Sequence, residues 1–128
     1  MIAHISIGVS DLDRSKRFYD AALEPLGYRC MRAMRTATGY AYGADTIAFY
    51  VVLAEHPIAP DEKSGLHICF AAPSAAAVDA FHAAALRCGG RDNGRPGPRP
   101  IYDPDYYAAF IIDPDGYRIE AYFGPGEV

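Results

Sequence analysis

Two histidines and one glutamate are the residues of this sequence whose types suggest chemistry. His4 lies in a short apolar run near the start, His67 in a similar run at mid-chain, and Glu120 in the last such run. Two imidazoles and one carboxylate form the facial triad, which binds a divalent metal and leaves coordination positions open for substrate. Each residue alone has an ordinary explanation as a solvated or satisfied polar group. Their significance therefore depends on the elements that carry them.

An internal repeat places the two histidines at equivalent positions. A shift of 63 residues aligns His4 with His67 and Gly27 with Gly90, and it gives seven identities over positions 4–29 without a gap. Both copies consist of a short apolar strand, an amphipathic helix and a glycine. We therefore predict one domain, 1–128, made of two units at about 1–56 and 65–128, with a polar linker at 55–64.

Each unit is predicted to have a βαβββ pattern. The predicted strands cover residues 2–9, 28–34, 39–43, 46–53, 66–72, 106–112 and 117–123. One helix follows a cap at Ser10, Asp11 or Asp13 and ends at Pro25 and Gly27, and the other covers residues 74–88. Residues 92–104 are predicted to be a Gly/Pro-rich connection, and 113–116 a turn.

Alternation along the strands predicts that the three candidate ligands share one side of the fold. Successive side chains point to opposite faces, so His4 lies opposite Ile5 and His67 opposite Ile68. Glu120 lies on the less apolar face of the last strand. We expect the apolar faces to carry the helices and the other faces to line the concave side of a curved sheet. A metal there would offset the cost of burying a carboxylate.

Composition and charge exclude several classes of function. Of the 128 residues, 51% are apolar and 22% charged, as in ordinary globular proteins. The 12 Lys and Arg against 16 Asp and Glu give a net charge of −4, which argues against a nucleic-acid surface. No apolar run reaches the roughly 18 residues of a membrane span, and no signal peptide is expected. Cys30, Cys69 and Cys88 suggest free thiols and a cytoplasmic protein.

Three stretches resemble the vicinal oxygen chelate superfamily of glyoxalases, bleomycin resistance proteins and extradiol dioxygenases. They are HISIGVSDLDRSKRFYDAALEPLG at 4–27, GLHICF at 65–70 and DPDGYRIE at 113–120. The resemblance covers the whole chain. It implies an α+β fold in which two paired βαβββ modules form a cupped, mostly antiparallel sheet. It also implies a divalent metal inside the cup and, often, a homodimer.

Carried over residue by residue, the resemblance assigns His4, His67 and Glu120 as the metal ligands. The implied metal is Fe, Mn, Zn or Ni. The three ligands would converge either within one chain or across a dimer, because some superfamily members exchange modules between subunits.

Two departures from the superfamily patterns bear on the reaction. Glyoxalase I-type lyases have a fourth, acidic ligand, whose position here is Phe49 or Tyr50. Extradiol dioxygenases have an acid/base histidine, whose positions here, 101–103, read Ile-Tyr-Asp. An open three-ligand site favours an oxygen-binding or anion-stabilising role over the four-ligand lyase.

The predicted function is therefore a divalent-metal-dependent enzyme, dioxygenase-like or lyase-like. Its small-molecule substrate would chelate the metal through vicinal oxygens. The predicted catalytic residues are Glu120, Tyr102 and Tyr107, with either hydroxyl as a hydrogen-bond donor or proton shuttle. The alternatives are a metal-free small-molecule-binding or antibiotic-binding dimer of the bleomycin resistance type, and a structural dimer with a vestigial site.

Overall fold

The computed structural model describes residues 1–43 and 45–125, which form two successive βαβββ units. The first unit consists of β1 (Ile5–Val9), α1 (Leu12–Leu23), a short 3₁₀ helix (Glu24–Leu26), β2 (Tyr28–Ala33), β3 (Ala37–Tyr42) and β4 (Ile47–Leu53). The second unit consists of β5 (His67–Ala71), α2 (Ala75–Arg87), β6 (Arg91–Pro98), β7 (Tyr107–Ile112) and β8 (Arg118–Phe123). The predicted α+β class is confirmed.

The two sheets have the same strand order. It is β1-β4-β3-β2 in the first unit and β5-β8-β7-β6 in the second. Strand β1 pairs parallel with β4, and β5 pairs parallel with β8. The remaining pairs are antiparallel. The repeat in the sequence is therefore a repeat of structure.

Side-chain caps and one glycine set where the helices begin and end. Asp11 caps α1 by accepting a hydrogen bond from the backbone of Arg14 at 3.1 Å. Ser74 caps α2 by accepting one from Ala77 at 3.0 Å. Gly27 ends the 3₁₀ helix with a φ of 93°, a left-handed conformation that favours glycine.

A single hydrophobic core joins the two units. The helices α1 and α2 pack on each other, and the ring of Phe49 on β4 meets that of Phe70 on β5 at a centroid distance of 5.3 Å. Ile119 on β8 and Val9 on β1 are fully buried in this core. None of the helices in the described part is long and apolar enough to cross a membrane.

Two sequence predictions need correction. Residues 92–104 are not a continuous connection, because Arg91–Pro98 is strand β6. This strand lies at a sheet edge, where prolines are tolerated because one side of the strand needs no ladder hydrogen bond, and irregular registers accommodate its glycines. The first strand begins at Ile5 rather than at residue 2, so His4 immediately precedes it.

Candidate functional site

His67 and Glu120 meet on the outer face of the second sheet. His67 is the first residue of β5, and Glu120 lies in the middle of β8. The imidazole Nε2 lies 3.0 Å from the carboxylate Oε1. The side chain of His67 is 44% exposed and that of Glu120 only 4%. The pair therefore combines a covered carboxylate with an imidazole that ligands can reach.

The pairing of β5 with β8 explains this contact. Cys69 lies directly opposite Glu120 in the ladder, and Arg118 lies opposite His67. These residues alternate with Ile68 and other core residues, so they occupy the face turned away from the core. The predicted sharing of one face by His67 and Glu120 thus has a direct structural counterpart.

Tyr106, which the sequence analysis did not select, completes the hydrogen bonding of Glu120. Its hydroxyl donates to Glu120 Oε2 at 2.6 Å. Burial and this hydrogen bond raise the pKa of Tyr106 well above its ordinary value, so the phenol remains a donor. The sequence contains a signal for this face. Tyr106 and Phe110 are an even number of residues apart and so share one face of the strand, whereas Ala109 and Ile111 face the core.

The two tyrosines that the sequence analysis selected lie elsewhere. Tyr107 packs on the core side of β7, and its hydroxyl donates to Asp79 of α2 at 2.6 Å. Tyr102 is 63% exposed, and its ring edge meets that of Tyr106 at 5.1 Å. Tyr102 therefore lies at the rim of the site, and Tyr107 lies on the opposite face of the sheet.

Positive charge accompanies the pair. Among the described residues, Nε and Nη1 of Arg118 are buried with no hydrogen-bond partner. Arg99 donates to three backbone carbonyl oxygens of its own segment at 2.6–3.2 Å and lies 5.4 Å from the ring centroid of Phe110. That ring in turn stacks with His67 at 6.2 Å. The guanidinium of Arg99 is thus held over this face by the backbone of its own segment.

His4 lies on the other sheet, in an arrangement that mirrors the pair. Its ring meets that of Tyr50 edge-on at 5.1 Å. Tyr50 lies opposite Ser6 in the ladder, as Glu120 lies opposite Cys69. The 63-residue shift takes Ser6 to Cys69, so Tyr50 is the structural equivalent of Glu120. Of the two residues proposed for the absent fourth ligand, the register selects Tyr50.

The three predicted ligands do not meet within one chain. Phe49 and Phe70 touch across the core, so the faces that carry Tyr50 and Glu120 point away from each other. Within residues 1–43 and 45–125, no three His, Cys, Asp or Glu side chains are grouped so that they could hold a metal. One chain therefore presents two half-sites, the His4 half (His4 and Tyr50) and the His67 half (His67 and Glu120).

A cavity of about 410 Å³ lies between β1 and β5. Its walls come mainly from both strands and from Ala54 and residues 56–58 after β4, and they include Ile5, His56 and His67. Because His67 lines this cavity and also touches Glu120, a small molecule in the cavity would lie next to the His67 half.

The turn before β8 fixes the His67 half to the first unit. The buried carboxylate of Asp113 accepts a hydrogen bond from the hydroxyl of Tyr19 on α1. Asp115 forms an ion pair with Arg14 at 2.9 Å and accepts a hydrogen bond from Ser15 at 3.0 Å. Burial raises the pKa of Asp113 to about 6. These contacts hold the start of β8, and hence Glu120, in a set position relative to α1.

Comparison with known proteins identifies the family. Residues 1–121 match the model of the Glyoxalase/Bleomycin resistance protein/Dioxygenase superfamily. The chain belongs to this superfamily. The resemblance carried by the three sequence stretches is therefore confirmed.

The chain is similar to individual known proteins over most of its length. A glyoxalase/bleomycin resistance protein from Albidiferax ferrireducens T118 is 36% identical, with a TM-score of 0.81 over 96% of this chain and 98% of that one. The uncharacterized protein YqjT of Bacillus subtilis (strain 168) is 32% identical over 91% of this chain and 94% of its own length. The fosfomycin resistance protein FosX from Mesorhizobium loti is 21% identical, with a TM-score of 0.71 over 98% of this chain and 93% of that one, and shares the fold.

Proposed function

We propose that this superfamily member is a divalent-metal-dependent enzyme acting on a small substrate with two neighbouring oxygen atoms. The observation that supports the proposal is the 3.0 Å separation of His67 Nε2 and Glu120 Oε1, with the imidazole 44% exposed. Two ligand atoms, each about 2.1 Å from one ion and at a right angle, lie about 3.0 Å apart. The donor types and their spacing therefore fit Fe, Mn, Zn or Ni.

A second copy of the chain would supply the third ligand. The two half-sites lie on outward faces of different sheets, so a two-fold axis can bring the His4 half of one chain to the His67 half of another. The strands β1 and β5 are edge strands, available for such an approach. Apolar side chains near them, Ile2, Ile5 and Ile58, are 75%, 39% and 60% exposed. The proposed homodimer would contain two equivalent sites.

The metal would supply Lewis acidity, which stabilises negative charge developing on the substrate oxygens. His67 and Glu120 would hold it together with His4 of the second copy. Tyr50 places a phenol where a four-ligand lyase has a carboxylate, which leaves positions open for substrate. Tyr102 at the rim is the proposed hydrogen-bond donor to the bound molecule. Both dioxygenase-like and lyase-like reactions are consistent with this arrangement.

Two buried nitrogen atoms of Arg118 favour a substrate rich in oxygen. A buried N–H group without a hydrogen-bond partner is energetically unfavourable. Arg118 lies on the same face as His67 and Glu120, so a ligand carrying negative charge or oxygen lone pairs there would relieve that cost.

Metal analysis of the purified protein tests the proposal. We expect the wild-type protein to carry a divalent metal, and His67→Ala and Glu120→Gln to lose it. Glu55→Gln, at a linker carboxylate that is 91% exposed, is the matched control for Glu120→Gln and should keep it. EDTA should abolish turnover of catechols or hemithioacetals in the wild type, and added metal should restore it. A wild-type protein with no more metal than His67→Ala would contradict the proposal.

A metal-free binding dimer is the second candidate. It is favoured by the separation of His4 from the His67 half within one described chain and by the largely apolar walls of the 410 Å³ cavity. This function predicts that small apolar molecules bind equally well with and without EDTA. The metal-dependent enzyme instead predicts that EDTA weakens the binding of oxygen-chelating ligands.

A further inference from the structure

We propose that Tyr106 is a positioning residue that fixes the carboxylate of Glu120 and thereby sets the affinity of the site for a divalent ion. The inference rests on the function proposed above and assigns a role to a residue outside the predicted ligand set. It follows from the contacts of the two carboxylate oxygens and from the packing of the Tyr106 ring.

The two oxygens of Glu120 have different partners. Oε2 accepts the hydroxyl of Tyr106 at 2.6 Å, and Oε1 lies 3.0 Å from His67 Nε2. Hydrogen bonds to a charged acceptor are short and strong, so this one restrains rotation of the carboxylate. With Oε2 held, Oε1 is the oxygen left facing the imidazole. Tyr106 thus selects the carboxylate oxygen available beside His67.

Tyr106 is itself fixed from two sides. Its ring stacks on Tyr122 with a centroid distance of 4.6 Å and an interplanar angle of 20°. Tyr102 meets it edge-on at 5.1 Å. Tyr122 follows Glu120 by two residues on β8, so the supporting ring and the carboxylate project from the same face of one strand. The hydroxyl is therefore held in place before any ion binds.

Removing this hydroxyl should weaken metal binding without removing a ligand. Tyr106→Phe retains the ring and its stacking, but it frees Oε2 and lets the carboxylate rotate. Loss of a hydrogen bond to a metal ligand typically costs about 10–100-fold in metal affinity. Tyr107→Phe is the matched control, because it removes a hydroxyl that donates to a carboxylate, that of Asp79, at the same 2.6 Å but on the opposite face of the sheet.

Competition with a fluorescent chelator for Zn²⁺ and Co²⁺ tests the inference. We expect Tyr106→Phe to bind both ions about 10–100-fold more weakly than the wild type. Tyr107→Phe should bind both ions as tightly as the wild type. Equal affinities for Tyr106→Phe and the wild type would overturn the inference.

The visible absorption of bound Co²⁺ separates positioning from a purely structural role. A freed carboxylate can coordinate through both oxygens, so the Co²⁺ bands of Tyr106→Phe should differ in intensity and position from those of the wild type. A residue that only stabilises the fold would lower the melting temperature and leave the Co²⁺ spectrum unchanged, and that result would overturn the inference.

The wild type and His67→Ala identify which proposal fails. If the wild type binds neither ion, the proposed function is wrong and the role of Tyr106 is wrong with it. If the wild type binds and His67→Ala does not, while Tyr106→Phe matches the wild type, only the role of Tyr106 is wrong.

Discussion

Asp113 is a carboxylate whose ionisation the fold opposes. It is 2% exposed and accepts hydrogen bonds from the backbone of Asp115 and Tyr117, at 2.9 Å each, and from the hydroxyl of Tyr19. Burial outweighs these hydrogen bonds and raises its pKa from 3.8 to about 6. The folded protein therefore binds this proton more tightly than the unfolded chain does. The resulting stability is fully present below about pH 4 and is lost as the pH rises through 6.

Asp113→Asn should remove this pH dependence. Asparagine keeps an acceptor for the two backbone amides and carries no charge. We expect the free energy of unfolding of the wild type, relative to the variant, to rise by up to about 3 kcal/mol between pH 7 and pH 4. Urea unfolding across this range measures the difference, and Asp13→Asn at an exposed position is the control. A difference that stays constant with pH would contradict the assignment.

Gly90 is required for close packing at the end of α2. A Cβ there would lie 2.8 Å from Phe18 Cε1 and 2.9 Å from the carbonyl oxygen of Ala85. We expect Gly90→Ala to destabilise the protein by about 1–3 kcal/mol in urea unfolding. Gly97→Ala is the control, since its nearest neighbour would be the flexible Arg99 side chain at 3.4 Å. Equal stabilities of the two variants would contradict this expectation, because they would show that Phe18 and Ala85 can move to accommodate a Cβ at little cost.

At the level of strands and helices, the sequence predicts elements better than their registers. The 63-residue repeat and the caps are local patterns, so the predicted ends of both helices lie within a few residues of the observed ends. Strand β6 was missed because its glycines and prolines resemble a loop, and only its edge position makes them acceptable. The choice between Phe49 and Tyr50 needed the ladder register.

In the candidate site, too, local sequence patterns predict some contacts, while others depend on how the chain packs. Alternation within β5 and β8 predicts that His67 and Glu120 share a face, and they do. Where His4 lies relative to them depends on how the two units pack, which strand periodicity does not contain. The even spacing of Tyr106 and Phe110 indicates the face on which Tyr106 lies, but Tyr106 precedes β7. Its contact with Glu120 therefore depends on the path of the chain before that strand.

The equivalence of Tyr50 and Glu120 predicts the effect of restoring an acid. Tyr50→Glu places a carboxylate beside His4, in the geometry that Glu120 has beside His67. We expect the variant to retain Zn²⁺ against EDTA with an affinity on the order of tenfold higher than that of the wild type. Tyr50→Gln has the same size without the charge and should show no gain. An unchanged affinity in Tyr50→Glu would mean that the His4 half does not reach the metal.

At the scale of the whole molecule, the shared core determines where a complete site can form. The two units bury their apolar faces against each other through α1, α2 and the contact of Phe49 with Phe70. Both half-sites therefore lie on the sheet faces turned away from this core. The proposed site then takes its ligands from two chains, so His4 and His67 can be removed in different chains by separate substitutions.

Mixing two inactive variants should restore binding. His4→Ala and His67→Ala each disable every site of their own homodimer. After subunit exchange, half of the dimers are mixed, and each mixed dimer has one intact site, so about a quarter of the wild-type metal capacity should return. Metal content after exchange under mild urea measures it. If the ligands met within one chain, the mixture would bind no more than either variant alone.

The two outer edges of the sheets limit how far association can go. Strand β6 contains Pro96 and Pro98 and two register irregularities, and β2 has a further irregularity and exposed arginines. Neither edge is a good template for another sheet, whereas β1 and β5 border one common cleft. Subunits that join only at that cleft form a closed pair rather than a growing fibre. We therefore expect the prolines that conceal β6 in the sequence to help keep a concentrated solution of this protein free of open-ended polymers.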